Sequence, residues 1–449
     1  MRNKLLLTLA ASALAVGAIS TEGAFAAKSK SSEPLPFSSK EKANGAKYHP
    51  EILKEFGGAY QSPQTAYVER VGKKIALQSG LANSEGEFTV TFLNSAVNNA
   101  FAIEGGYVYI TRQLAALCNS EAEMAGVLGH EVGHTAARHS KKRQKQATLA
   151  NIIGVLGTIG GAMIGDNGGL AGALGGAAQQ YSGQLAQLFT LKYSRGQEEQ
   201  ADDLGIKYLS KAGYDPSALS AMLNSLALQT AVDAKVAGLN AHSVPEWAST
   251  HPDPAKRVVR AATNAKKYPA STVRNADAHF KAIDGMMYDD DPKEGVIEGQ
   301  EFLHPDLRLR FAVPNGFGMS NGTQAVTISG NGGKALFTTQ PYNGDRKAYI
   351  DAAFKAVVGD KQQVNYGAIK NPTVNGISAF YASADVPTEQ SGTVTLMVFA
   401  YEWAPNQAFH FVTIAPANST PFTSMFESVT RMTDKQAAEI KPRKLRVVT

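Results

Sequence analysis

Two histidines four residues apart, His130 and His134, bracket Glu131 in the run His130-Glu131-Val132-Gly133-His134. On an α-helix, positions i and i+4 share a face, so both imidazoles can point at one metal ion. Glu131 stands beside the first histidine and reaches a water at that metal rather than the metal itself. The pattern is the H-E-x-x-H of zinc peptidases. Cys118 is the only cysteine, which excludes an intrachain disulfide framework and a cysteine-rich metal site. A metal here must be held by histidine and carboxylate. The third ligand decides the class. A metzincin would place a histidine ten residues after His130 and a glycine seven after it, where this chain has Ser140 and Ala137. His139 is one residue short. The other route is a carboxylate on a second helix, and Glu198 and Glu199 sit where one begins. Helical geometry sets the two ~100° apart, so only one can face a metal. Asp202 lies one turn after Glu198 on the same face, placed to accept the second N–H of a ligand imidazole.

Four motifs occur in a fixed order. Asn99-Ala100-Phe101-Ala102 with Gly105-Gly106 comes first, and H-E-x-x-H second. The run from Ser194 to Asp202 reads S-R-x-x-E-x-x-A-D, and Ser249-Thr250-His251-Pro252 with Arg257 reads S-x-H-P-x-x-x-x-R. Together they resemble the gluzincin metalloprotease family of HtpX, BepA and the CAAX prenyl proteases, over roughly residues 63–267. The resemblance implies one Zn2+ per chain on His130, His134 and Glu198, with Glu131 as the catalytic base. The choice of Glu198 over Glu199 rests on the family spacing. The resemblance leaves three roles open for His251: bracing its turn, donating to an oxyanion, or filling zinc's fourth position as a plug. We read it as the plug, because a secreted protease with a broad site must be restrained. Glu104 stands where the family often has proline, and Gln200 where glutamate is common.

These residues need helices to carry them. Apolar spacing predicts helices over 63–78, 120–140, 196–212, 216–232 and 253–267. Asn119-Ser120-Glu121-Ala122-Glu123 supplies a capping start for the one bearing H-E-x-x-H. Residues 28–39 read as an extended start, and 87–94 and 98–110 as strands, the second bending at Gly105-Gly106. The edge strand around 99–102 can bind an extended substrate by strand addition. His139 falls out of phase with the two motif histidines, which assigns it a supporting rather than a ligating role. Cys118 reads as a buried, inert thiol, and His49, His242, His279, His304 and His410 as surface or core histidines.

Among the 449 residues, 43% are hydrophobic and 18% charged, which excludes a disordered chain. The net charge of +5 comes without a basic run, which excludes nucleic acid as a partner. Residues 1–27 read as a signal peptide, with Arg2 and Lys4 before an apolar stretch and Ala24-Phe25-Ala26 as the cleavage site. The expected compartment is the bacterial periplasm. Residues 28–288 form the expected metalloprotease domain. Within it, segment 146–191 has Asp166 as its only charged residue and eleven glycines between Gly154 and Gly183. That apolar hairpin is a candidate for peripheral membrane contact, or for a cover over the site. Residues 289–299, opened by Asp289-Asp290-Asp291-Pro292, read as a solvated linker. Beyond it, 300–449 alternates as strands, with helices expected over 346–358 and 421–439, an antiparallel α+β accessory domain. The fold class is α+β: a mostly helical zincin-type domain with a small edge-strand sheet, then the accessory domain. The expected function is a zinc-dependent endopeptidase acting on exported, misfolded or unassembled envelope proteins. The alternative is a chaperone or assembly factor that uses a gated metalloprotease fold mainly for binding.

Overall fold

The computed structural model of the chain describes residues 35–141, 193–236, 251, 253–330, 332–358, 364–388 and 392–448. The signal-peptide reading over 1–27 and the glycine-rich segment 146–191 lie outside the described residues.

The extended start ends at Ser38, where α1 (Ser39–Glu55) begins. Sequence patterning misses this helix because its apolar residues are few and Pro50 lies inside it. A capping box starts it. Ser38 Oγ accepts from the Glu41 N–H, and Glu41 Oε2 accepts from the Ser38 N–H at 2.8 Å. Helix α2 (Thr65–Leu77) buries Val68, Val71 and Ile75, as its spacing predicts. Strand β1 (Thr89–Leu93) is followed by a hairpin, β2 (Ala100–Ile103) and β3 (Tyr107–Thr111), where one bent strand was expected. The two glycines between them turn the chain at φ +88° and +94°, which only glycine adopts freely. β3 pairs in parallel with β1 and antiparallel with β2, leaving β2 at the sheet edge.

After α3 (Arg112–Leu117), helix α4 (Glu121–Ala136) starts at the Ser120 N-cap. Every residue of α4 from Glu121 to His134 is buried, the ionisable Glu121, Glu123, His130, Glu131 and His134 included. The expected run to Ser140 stops short, because Arg138 adopts the left-handed conformation at φ +55°. For a non-glycine residue that costs ~1–2 kcal/mol. Anchors offset the cost: Arg138 Nη2 donates to Leu35 O at 2.9 Å, and Arg138 Nε lies 3.3 Å from Glu41. Helices α5 (Arg195–Lys211), α6 (Ala218–Val236) and α7 (Pro254–Ala265) lie near their expected places, and α8 (Ala276–Ile283) is an addition.

α4 crosses α5 backbone to backbone. A Cβ on Gly133 would meet Ala201 O at 3.0 Å, and one on Gly205 would meet His130 N at 3.0 Å. Gly129 faces the same seam, and a Cβ on it would lie 3.5 Å from Gly205. The two helices bearing the expected ligands are therefore as close as their backbones allow.

The C-terminal half is α+β, as the alternating pattern predicts. Its seven-stranded sheet runs in spatial order Thr373–Val374, Ile377–Thr388, Gly392–Ala404, Gln407–Pro416, Gly333–Pro341, Val326–Gly330, Phe317–Asn321, all antiparallel. The helix Arg346–Val358 covers one face, burying Tyr349, Ile350 and Phe354. An aromatic core with Phe311, Phe337 and Phe411 fills the other. The expected helix over 421–439 is a correction: it breaks into Thr423–Ser428, a short strand Thr430–Arg431 and Asp434–Glu439. Thr430 and Arg431 pair with Arg310 and Leu309, so strand pairing interrupts the helical pattern.

The acidic run is not a solvated spacer. Asp289, Asp290 and Asp291 are half-buried, and Asn94 Nδ2 donates to Asp291 Oδ2 at 2.9 Å. The Arg112 guanidinium, 1% exposed, donates to Asn94 Oδ1 at 2.9 Å and to Met287 O at 3.3 Å. Burial pushes the Asp290 carboxyl up to about 6, although the Ile297 N–H donates to it at 2.9 Å.

Two measurements test this packing. Gly205→Val should force the α4–α5 seam apart and cost at least ~2 kcal/mol in urea unfolding. Gly196→Ala, with nothing within 4 Å of the added methyl, should be neutral or stabilising by up to ~1 kcal/mol. For Asp290, the folded protein holds the proton more tightly than the unfolded chain. Its contribution is therefore full below ~pH 4 and is lost as pH rises through about 6. Asp290→Asn should accordingly gain ~3 kcal/mol over wild type at pH 8, and little at pH 4, by the same unfolding assay.

Candidate metal centre

The α4–α5 seam brings His130, His134 and Glu198 together, and His251, just ahead of α7, completes the group. Each of the four is buried, and each offers one donor atom within 4.8 Å of the others. His130 Nε2 lies 3.0 Å from His134 Nε2 and 3.7 Å from Glu198 Oε2. His134 Nε2 lies 3.3 Å from Glu198 Oε1. His251 Nδ1 is 3.0 Å from Glu198 Oε1 and 3.3 Å from His130 Nε2. Four donors around a tetrahedral zinc at ~2.05 Å would stand ~3.3 Å apart. The residues fit the ion in type and in spacing.

Surrounding groups orient the donors. His130 Nδ1 lies 3.0 Å from Asp202 Oδ1, so this nitrogen carries the proton and Nε2 turns its lone pair to the cluster. Arg257, at the start of α7, donates from Nε to Asp202 Oδ2 at 2.9 Å, from Nη2 to Asp202 Oδ1 at 2.5 Å, and from Nη1 to Glu198. One guanidinium thus bridges the two buried carboxylates of α5, Glu198 and Asp202. Tyr193, which motif reading overlooked, stacks on His134 with ring centroids 3.7 Å apart. Its only signal was its place directly before Ser194-Arg195. Arg257 was legible only as a member of its motif.

The charges follow from this contact set. Burial pushes Asp202 upward, but the bonds to His130 and Arg257 outweigh it and hold its carboxyl below the usual range. Burial likewise opposes the Glu198 charge, while His251, His134 and Arg257 hold it far below that range. Burial depresses the His134 imidazole strongly. For His130, the bond to Asp202 overcomes burial and raises it.

Glu131 is 1% exposed, with Oε1 lying 3.6 Å from His251 Nε2, beside the donor cluster. Glu199 points away. Its side chain is 49% exposed and lies 3.5 Å from Arg260. His139 is buried and contacts His134, although a continuous helix would carry it off that face. Gln200 meets His139 at 3.0 Å, and Glu104 lies out of this cluster, accepting from Asn44. Cys118 is buried, as expected. His279 is buried between Tyr67 and the Cys118 carbonyl, and His410 is buried against Tyr349. His242 lies outside the described residues.

Residues 62–265 match the model of peptidase family M48. The beta-barrel assembly-enhancing protease of Yersinia pestis is 31% identical over 225 residues, which covers 49% of this chain and 43% of that protein. Its namesake in Escherichia coli K12 is 26% identical over 221 residues, covering 49% and 42%. The mitochondrial metalloendopeptidase OMA1 of Schizosaccharomyces pombe is 28% identical over 216 residues, covering 46% of this chain and 56% of that protein. The matched part of the chain spans about half the length of these curated relatives.

The two adjacent glutamates can be separated by metal analysis. Glu198→Ala should lower zinc content of the purified protein to a small fraction of wild type, while Glu199→Ala should leave it at one ion per chain.

Proposed function

We propose, from residues 62–265 being a segment of peptidase family M48, that this protein is a zinc-dependent endopeptidase with Zn2+ on His130, His134 and Glu198. The observation that carries this reading is the convergence of those three donors at tetrahedral spacing beside the Glu131 carboxylate. When bound, zinc supplies a Lewis acid for water and for the scissile carbonyl. Glu131 takes the proton of the attacking water and hands it to the leaving amine nitrogen. Asp202 and Arg257 hold His130 and Glu198 in place, so the donors need no reorganisation during reaction. β2 lies at one edge of the three-stranded sheet, where an extended peptide can add as a strand.

The substrates we propose are misfolded or unassembled envelope proteins in the periplasm. The expected membrane contact through 146–191 lies outside the described residues, and among the described residues no helix is long and apolar enough to cross a membrane.

A second reading, a gated protease that mainly binds its clients, draws on one observation. His251 stands at donor distance from both His130 and Glu198, where it would take the fourth position around the ion. We therefore keep His251 as a plug that must swing away before a substrate enters.

Casein cleavage and zinc content measured together test both parts. Glu131→Gln should keep its zinc and lose hydrolysis by ~10²–10⁴-fold. His251→Ala should raise basal cleavage. A fall of ~10²–10³-fold would instead make His251 an oxyanion donor, and unchanged cleavage would leave it only bracing its turn.

A further inference from the structure

His139 is fully buried and takes no part in the chemistry above, yet its ring connects a donor histidine to the surface. His139 Nδ1 lies 2.9 Å from His134 Nδ1, and its Nε2 lies 3.0 Å from Gln200 Oε1. An amide oxygen can only accept, so His139 Nε2 carries the proton and donates it to Gln200. In the neutral imidazole, His139 Nδ1 is then a bare acceptor, and the short contact to His134 places the proton on His134 Nδ1. That leaves His134 Nε2 with its lone pair facing His130 and Glu198. His130 reaches the same state by a direct bond to Asp202. The left-handed turn at Arg138 makes the contact possible by bringing His139 back over His134.

We propose that His139 and Gln200 form a relay that sets the tautomer of His134 and thereby readies its Nε2 for a metal ion. The proposal rests on the metal-site reading above. His139 is a positioning residue in this scheme, since it acts only through His134. Gln200 is the weak point of the relay. Its amide is uncharged, and turning it over would present a donor to His139 and reverse both protons. A glutamate there could only accept, and its charge would strengthen the chain of bonds. Residue 200 is exposed, so that charge stays solvated.

The test uses the full-length protein with zinc affinity read by competition against a chromophoric chelator. It adds the tautomer of His134, read by long-range ¹H–¹⁵N NMR on the zinc-free, histidine-labelled chain. His139→Leu should weaken zinc binding ~10–100-fold and move the His134 proton to Nε2. His139→Asn, whose side-chain oxygen restores an acceptor near the lost Nδ1, should recover most of the affinity and the Nδ1–H form. Gln200→Glu should tighten zinc binding ~3–10-fold, and being on the surface it leaves the fold intact if His139→Leu does not. An Nδ1–H tautomer in His139→Leu, or unchanged zinc affinity in Gln200→Glu, would overturn the relay. His134→Ala separates the two ideas: wild-type affinity in that variant would sink the metal site itself, whereas the NMR readout judges the relay without zinc.

Discussion

Everything at the metal centre depends on how closely α4 and α5 approach. A glutamate side chain is short, and Glu198 reaches His130 and His134 only because the two backbones meet at a seam of Gly129, Gly133, Ala201 and Gly205. Any larger side chain there would separate the donors by more than a coordination sphere tolerates. The packing that buries the apolar face of α4 is therefore the same packing that assembles the site. This is why α4 carries small residues on the face where most core helices carry leucine.

Such closeness brings several ionisable groups out of water at once. His130, His134, Glu198, Asp202, His251 and Arg257 are each no more than 5% exposed. Buried charges are expensive unless they are paired, and the pairing here is dense. Arg257 contacts the two buried carboxylates of α5, Asp202 takes the back of His130, and Glu198 faces the imidazoles. Glu198 and Asp202 held ionised against one guanidinium leave a net negative charge among buried side chains, and the lone pairs of the histidines point into it. A divalent cation suits both the charge and the lone pairs.

The C-terminal half is tied to the half that bears the candidate site by polar contacts. Arg112, at the base of β3, binds Asn94 beside β1 and the carbonyl of Met287, and Asn94 in turn binds Asp291. Thr323 Oγ1 donates to Glu55 O at the end of α1. Leu445 exchanges backbone hydrogen bonds with Gly285 and Met286, so a segment late in the chain lies beside the end of α8. The acidic run that sequence patterning marks as a boundary contributes Asp291 to these contacts.

Relations within one element are legible in the amino-acid order alone. The i, i+4 spacing of His130 and His134, the Glu198–Asp202 spacing and the capping residues Ser120 and Ser194 are local, and helical geometry follows from them directly. The alternating strands of the C-terminal half were legible for the same reason. Tertiary structure decided the rest. The preference for Glu198 over Glu199 rested on motif spacing until packing buried one and exposed the other. Arg257 and Tyr193 gained their roles only when helices distant in sequence met at the site. His139 is the sharpest case. Its spacing places it off the metal face, yet a left-handed residue at Arg138, held by Leu35 and Glu41 about 100 residues earlier, turns it back. Spacing encodes geometry only while the helix continues, and what stops a helix is a contact from elsewhere in the chain.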